Sequence, residues 1–295
     1  MKVLFDKIAF FYVIGNPRSG TSLLRLMLNS HKDIVVPPEC GFFHWLSSKY
    51  HRSDFTNILG FLDDYLSDLH NSRKFETWDI DFSLLRKSII DISPSNYYEL
   101  SILVYLSYAR KFDKSPNIVG DKNNYYINHL AELDVLASNA KYLYIVRDCR
   151  DVVNSYKALQ NLKTESPYKP NLPTNEEDIA KIWCDNNTTA LHFFNSINCQ
   201  RHYTVRFEDL LTKPIEILKN ICAWLTIDFD EGMLRYHLDN CQYNIEPLST
   251  LDWKKDTLQK PNPDKIGSYK KHLSTIEINN INTISEDLLS YFEYI

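Results

Sequence analysis

The residues Gly15-Asn16-Pro17-Arg18-Ser19-Gly20-Thr21-Ser22 place two glycines, three hydroxyls and one cation between a β-rich run and an apolar helical pattern. That combination builds a loop whose backbone N–H groups, backed by a helix N-terminus, wrap an anion. Gly15 permits a sharp exit from the strand, Gly20 lets the backbone approach the anion, and the hydroxyls of Ser19, Thr21 and Ser22 add donors. A loop that holds a nucleoside triphosphate carries Lys before its final Ser or Thr, to reach the β and γ phosphates. Here that position is Thr21. With Arg18 as the only cation inside the loop, the pattern predicts a ligand with less terminal charge than ATP and no need for Mg²⁺. A tight turn without a ligand would use far fewer donors.

The elements around this loop follow from periodicity. Ala9–Ile14 reads as a strand bounded by Gly15, Asn16 and Pro17, and Thr21–Asn29 as a helix with Leu23, Leu24, Met27 and Leu28 at helical spacing. Ile34–Val36 is a short second strand ended by Pro37-Pro38, and the segment from Phe42 to Phe112 suggests several helices. Ile118-Val119 before Gly120 is a brief strand. The apolar run Tyr142–Val146 predicts a central parallel strand, with a helix over Asp151–Leu162. His202–Phe207 repeats the pattern, with a helix from Ile215 to Leu225 after Pro214. Strands alternating with helices predict an α/β fold, a P-loop-type parallel sheet flanked by helices. With no repeat or composition break, the whole of 1–295 is expected to be one domain. Lys163–Asp178, with Pro167, Pro170 and Pro173 and the acidic cluster Glu176, Glu177 and Asp178, reads as a loop that either covers the site or simply connects elements.

Composition narrows the function classes. The chain has 295 residues, is 44% hydrophobic and 24% charged, and carries fifteen Phe, nineteen Tyr and five Trp, which excludes a disordered chain or a stapled mini-protein. A net charge of −5 argues against a general nucleic-acid binder. The run Ile8–Ile14 is far shorter than the roughly twenty residues that span a bilayer. Only Lys2 and Lys7 flank it and no small-residue cleavage site follows, so neither a membrane segment nor a secretory signal is expected. The six cysteines (Cys40, Cys149, Cys184, Cys199, Cys222, Cys241) contain no Cys-x-x-Cys pair and suit reduced thiols in a cytoplasmic protein. Cys199 and His202 have no second half-site, and no metal centre is expected.

The segment Pro17-Arg18-Ser19-Gly20-Thr21-Ser22-Leu23-Leu24 resembles the 5′-phosphosulfate-binding loop of sulfotransferases that use 3′-phosphoadenosine-5′-phosphosulfate (PAPS). Arg147-Asp148-Cys149-Arg150-Asp151-Val152-Val153-Asn154-Ser155-Tyr156 is similar to that family's 3′-phosphate motif. A strand-end Arg offers a forked donor, and Ser155, just over one helical turn past Arg150, can donate to the same phosphate. The competing reading of Arg147 is a structural Arg–Asp salt bridge. Val205–Leu211 with Ile221–Leu225 resembles the strand and helix that follow the cofactor site. Phe207 stands where tyrosylprotein sulfotransferases place a Tyr, and keeps only the apolar contact. Lys260-Pro261-Asn262-Pro263 and Lys265–Lys271 look like the segment that covers the cofactor. Residues 249–275 hold six Lys against Asp252, Asp256 and Asp264, a local excess of positive charge suited to an anion. Lys260 and Lys270 are the cofactor contacts expected there.

The resemblance also implies the catalytic groups. Glu39 lies twenty-one residues past Arg18, the offset of the catalytic Glu in tyrosylprotein and related bacterial sulfotransferases. With Phe42, Phe43 and Trp45 after it, an apolar setting is expected to raise its pKa toward that of a useful base; the alternative is a Glu that stabilises a helix start. Gly120-Asp121-Lys122 is similar to the segment whose Lys stabilises the leaving group. Asn123-Asn124 replace the Thr-Pro that often follows in the family, and no His occupies the next few positions, unlike the phenol and steroid enzymes. His44 and His129 read as helix-face or core residues. The implied function is metal-independent, in-line transfer of a sulfuryl group from PAPS to a hydroxyl or amine of a small-molecule acceptor, such as a secondary metabolite, releasing adenosine 3′,5′-bisphosphate. The alternatives are a P-loop kinase of small metabolites and a nucleotide-binding protein without turnover.

Overall fold

The computed structural model describes residue 5 and residues 7–295; Lys2 lies outside the described residues. Five parallel strands form the sheet: β1 (Ala9–Ile14), β2 (Ile34–Val35), β3 (Ile118–Lys122), β4 (Lys141–Val146) and β5 (His202–Arg206), in the order β2-β3-β1-β4-β5. The helices that matter below are α1 (Thr21–Asn29), α2 (Leu62–His70), α3 (Phe82–Ile92), α4 (Tyr97–Ala109), α5 (Cys149–Gln160), α6 (Glu176–Ser196), α7 (Pro214–Leu225), α8 (Tyr236–Tyr243) and α9 (Thr275–Tyr291).

Strand alternation divides the core into two layers. Phe10, Tyr12 and Ile14 of β1 point into one cluster with Tyr142, Tyr144 and the buried faces of α2–α6 and α9. Phe11 and Val13 point into the other, with Leu143, Ile145 and the apolar residues of α1 and α7. Both faces of the sheet are therefore covered, as an all-parallel sheet requires. β4 is an interior strand, paired with β1 on one side and β5 on the other. Its tyrosines are buried only because their hydroxyls find partners: Tyr142 donates to Asp134 at 3.0 Å and Tyr144 to Asn187.

The structure differs from the sequence expectation in two main respects, two unforeseen helices and a longer third strand. Glu176, Glu177 and Asp178 are not loop but the first turn of α6, capped by Asn175, whose side chain accepts from the Asp178 amide at 2.8 Å. Acidic residues there complement the helix dipole. Helices α6 and α9 lack an unbroken apolar stripe, which hides them from periodicity: Asn186 and Asn187 sit in the buried seam of α6, and Ser285 between Ile281 and Leu289 in that of α9. The second change is small. β3 runs on through Gly120 and Asp121 to Lys122, whose Cα pairs with Val13 of β1.

The register brings five strand ends to one edge. Gly15 follows β1, Glu39 follows β2, Lys122 ends β3, Arg147 follows β4 and Phe207 follows β5. In open parallel sheets the crevice at the carboxyl ends, where strand order reverses, is where ligands bind. Among the described residues no helix is long and apolar enough to cross a membrane.

Candidate active site

The loop after β1 is held by its own hydrogen bonds and by its neighbours. Asn16 is buried; its amide nitrogen donates to the Pro17 carbonyl at 2.8 Å, and its Oδ1 accepts from Asn186 of α6 at 2.7 Å. Arg18 adopts φ 71° and Gly20 φ 93°, both left-handed, which turns successive backbone amides inward. Gly20 is the N-cap of α1 and offers no side-chain cap, and the first turn of α1 has no acidic residue. The Ser19 hydroxyl is buried without a hydrogen-bond partner. Such an orphan is uncommon in a buried loop and fits an anion that supplies the missing acceptor.

Gly20 also faces a wall. A Cβ built there lies 2.2 Å from the Phe207 ring, so the aromatic wedge and the loop share one space. Gly20→Ala is expected to cost about 1–3 kcal/mol through backbone strain alone, before the clash. At roughly 2–4 °C per kcal/mol the melting temperature should drop by several degrees, measured by calorimetry. An unchanged melting temperature would mean that the loop relaxes freely.

Arg147 leaves β4 and reaches the same place. Its guanidinium donates to the carbonyls of Arg18 at 3.1 Å and Lys265 at 3.3 Å and stacks over Phe207 at 4.6 Å, while its buried Nε has no partner. The salt-bridge alternative fails because Asp148 pairs with Arg150 at 2.7 Å. Arg150 then turns away, donating to the Tyr294 carbonyl and stacking on Tyr269. Ser155 meets Arg18, whose Nε donates to the Ser155 hydroxyl at 3.0 Å. Burial lowers the pKa of Arg18, and the nearby charge of Arg147 adds to that lowering. Two guanidiniums crowded together in this way suit a polyanionic ligand.

The basic C-terminal segment is placed by Asp151, a contact that the sequence pattern did not single out. Its carboxylate accepts from the amides of Gly267 at 2.7 Å and Tyr269 at 3.0 Å and from the Ser268 hydroxyl. Lys260, Lys265 and Lys271 thereby line the cleft, whereas Lys270 is exposed outside its lining and stacks on Tyr269. The cleft holds about 1460 Å³ and also takes in Arg18, Glu39, Ser155 and Phe207.

Glu39 is clamped between cations. Its carboxylate accepts from Lys122 and, at 2.7 Å, from Lys74. Lys254, partly buried and paired with Glu246 at 2.6 Å, adds its field, and Glu246 is in turn bonded to Arg25 at 2.8 Å. The expected rise in the Glu39 pKa is overturned: burial does push it up, but Lys122, Lys254 and Lys74 outweigh that and hold it well below the usual carboxylate range. The reason is geometric. Phe42 and Phe43 turn into the core, away from the carboxylate, and only Trp45 reaches the cleft. Nor does Glu39 start a helix, since Gly41 caps Phe42–Trp45. Lys122 lies behind Glu39 and is almost fully buried, with burial pulling its pKa down to about 8 against the pull of Glu39. Lys74 and Lys254 carry no local signature in the sequence, and their roles emerge only from the fold.

The far side of the cleft is aromatic and cationic. Trp45 stacks on Tyr125 at 5.7 Å, and Arg73 and Lys74 stand over Tyr168 at 5.7 Å. Tyr168 brings the loop after α5 into the cleft. Its hydroxyl donates to Glu76 at 2.5 Å, and Thr164 donates to Asp252 at 2.7 Å. That loop thus lines the site. Asn124 accepts from Thr21 at 3.0 Å, tying the β3 exit to the phosphate loop.

Comparison with known proteins supplies the family. A curated Caenorhabditis briggsae protein, "Putative protein-tyrosine sulfotransferase", is 22% identical over 239 residues, covering 79% of this chain and 70% of that protein. The sulfotransferase domain from the Synechococcus PCC 7002 olefin synthase has the same fold, with a TM-score of 0.58 at 20% identity over 94% of this chain and 95% of that one. The sulfotransferase domain from the curacin biosynthetic pathway gives 0.53 at 22% identity, covering 95% and 97%. The sequence profile described as "Sulfotransferase family" matches residues 11–231, from β1 through the phosphate loop and Arg147 to the end of α7 and beyond, and this chain belongs to that family.

Proposed function

We propose that this chain, working as one domain in the cytoplasm, moves a sulfuryl group from PAPS to a hydroxyl or amine of a small-molecule acceptor and releases adenosine 3′,5′-bisphosphate. The observation that carries this reading is the pair of orphaned buried donors, Ser19 Oγ and Arg147 Nε, at the ends of adjacent strands β1 and β4. A nucleotide with phosphates at both 3′ and 5′ positions supplies acceptors to both. The six free cysteines are in keeping with a reducing compartment.

When bound, PAPS supplies an activated sulfuryl group on a phosphate leaving group. The loop Arg18 to Ser22 would hold its 5′ end, and Arg147 with Ser155 its 3′-phosphate. Phe207 presents an apolar edge beside Gly20, and Lys260 stands at the rim; Lys270 reaches the cofactor only if its segment moves. Glu39 would take the acceptor proton, and Lys122 would balance charge on the leaving oxygen. The ion pair between them gives the two a shared trigger. A ligand anion that draws the Lys122 ammonium away frees Glu39 from one of its cations, and the carboxylate becomes the stronger base for it.

A tyrosine side chain of a peptide is the second acceptor reading, favoured by the name of the C. briggsae relative. Incubation with PAPS and separate panels of metabolites and tyrosine peptides, read by mass spectrometry for one added sulfo group, distinguishes the two. The donor is tested first. At a hundredfold excess over Kd, adenosine 3′,5′-bisphosphate is expected to stabilise the protein by about 2.7 kcal/mol in thermal unfolding. Stabilisation by ATP with Mg²⁺ and none by the bisphosphate would overturn the reading in favour of a kinase.

A further inference from the structure

His44 is far in the sequence from His129 and Glu132, which stand three residues apart, yet the ligating atoms of all three lie within 4.8 Å of one another. His44 comes from the short helix Phe42–Trp45, His129 caps the helix Leu130–Leu136, and Glu132 stands in its first turn. His44 Nε2 meets one Glu132 oxygen at 2.5 Å and His129 Nδ1 meets the other at 3.3 Å, with the imidazole rings 4.5 Å apart.

We propose that His44, His129 and Glu132 form a zinc-type divalent metal site that braces the aromatic wall of the cleft through Tyr125. Two imidazoles and one carboxylate are a ligand set suited to Zn²⁺, leaving the fourth tetrahedral position to water. Ligand atoms around a tetrahedral Zn²⁺ with bonds of about 2.0–2.1 Å stand about 3.3 Å apart. The His44–Glu132 contact must therefore open slightly. Glu132 is free to do this, because its side chain is 62% exposed while that of His44 is 14% exposed.

The outer contact is also present. His44 Nδ1 is 3.0 Å from the Tyr125 hydroxyl. Without a metal, Nε2 carries the proton that it donates to the Glu132 carboxylate; a metal on Nε2 requires the other tautomer, with the proton on Nδ1, where the Tyr125 hydroxyl can accept it. Tyr125 in turn stacks on Trp45, and both rings line the cleft. Metal occupancy would thus fix the orientation of a ring that faces whatever occupies the far side of the cleft. None of the three ligands lines the cleft that Glu39 lines, and the site takes no part in bond making.

The test uses the full chain stripped with chelator and desalted, titrated calorimetrically with Zn²⁺ alone and, in parallel, with Co²⁺ monitored by visible absorption. One saturable equivalent is expected, with the intense absorption of tetrahedral Co²⁺. Glu132→Gln and His129→Ala should each weaken binding at least tenfold, and Tyr125→Phe, which removes only the outer contact, by about tenfold. The mostly exposed Glu132 makes its variant safe for folding, and thermal melting checks the others. Absence of saturable binding, or an affinity unchanged in both Glu132→Gln and His129→Ala, overturns the proposal; the latter would place the zinc elsewhere, such as at Cys199.

Discussion

Glu39→Gln is expected to lower turnover by about 10²–10⁴-fold, the range of a lost general base, while affinity for adenosine 3′,5′-bisphosphate survives. Gln preserves the volume and removes both the proton acceptor and the negative charge. The second loss reaches Lys122, because Glu39 is what raises the pKa of that buried ammonium against desolvation. The variant therefore removes the base and also loosens the proton on its neighbour. Glu39→Asp separates the two, since it keeps the charge for Lys122 and Lys74 but withdraws the carboxylate by one methylene. If Glu39 only anchors the lysines, Asp should recover most of the rate; if it is the base, both variants stay slow. The pH dependence has a definite sign. A carboxylate held well below its usual range stays ionised into acid, so kcat/KM should persist below pH 4.5 as far as the fold does. The stability that this ion pair contributes is present above the ordinary carboxylate pKa and is lost as pH falls through the depressed one. Full activity in Glu39→Gln would move the base to another residue.

The loop from Gly15 to Ser22 is legible because it is local. Strand, turn and helix follow one another within the chain, and the residue types that bind an anion are also the ones that shape the backbone around it. Arg147 is legible for the same reason, as the first residue beyond an unmistakable buried strand. Glu39 could be located by its offset but its electrostatics could not, because Lys74 and Lys254 approach from segments with no sequence relation to it. Only the fold reveals that the apolar residues after Glu39 turn away from it. Asp151 is a similar case. Nothing local says that one carboxylate will gather Gly267, Ser268 and Tyr269 and so carry the basic segment over the cleft. Long-range polar contacts of this kind depend on register and helix placement, and α6 and α9, which set much of that placement, hide behind polar residues in their own buried seams.

Lys122→Met is expected to lower kcat by about 10²–10³-fold, the cost of removing one preorganised group that balances developing charge. Met keeps the length and the apolar stem, so the buried space that Lys122 occupies stays filled, and Glu39 retains Lys74 as a partner. The distinguishing measurement is the alkaline limb. With the Lys122 pKa pulled down to about 8, the wild-type kcat/KM should begin to fall near that pH, where a lysine at its ordinary value of 10.5 would still be charged. Unfolding does not explain such a fall. Between about 8 and 10.5 the unfolded chain binds more protons at this residue than the folded one, so its contribution makes the fold more stable as pH rises. Lys122→Met should remove the limb and leave a low, flat rate through that interval. Bound cofactor brings negative charge and shifts the Lys122 pKa upward, so the limb in kcat should lie at higher pH than the limb in kcat/KM. Because Glu39 and Lys122 act as one ion-paired unit, the double variant Glu39→Gln/Lys122→Met should be scarcely slower than the poorer single one. Strictly additive losses would show that the two groups act independently, and a retained alkaline limb in Lys122→Met would assign the titration to another residue.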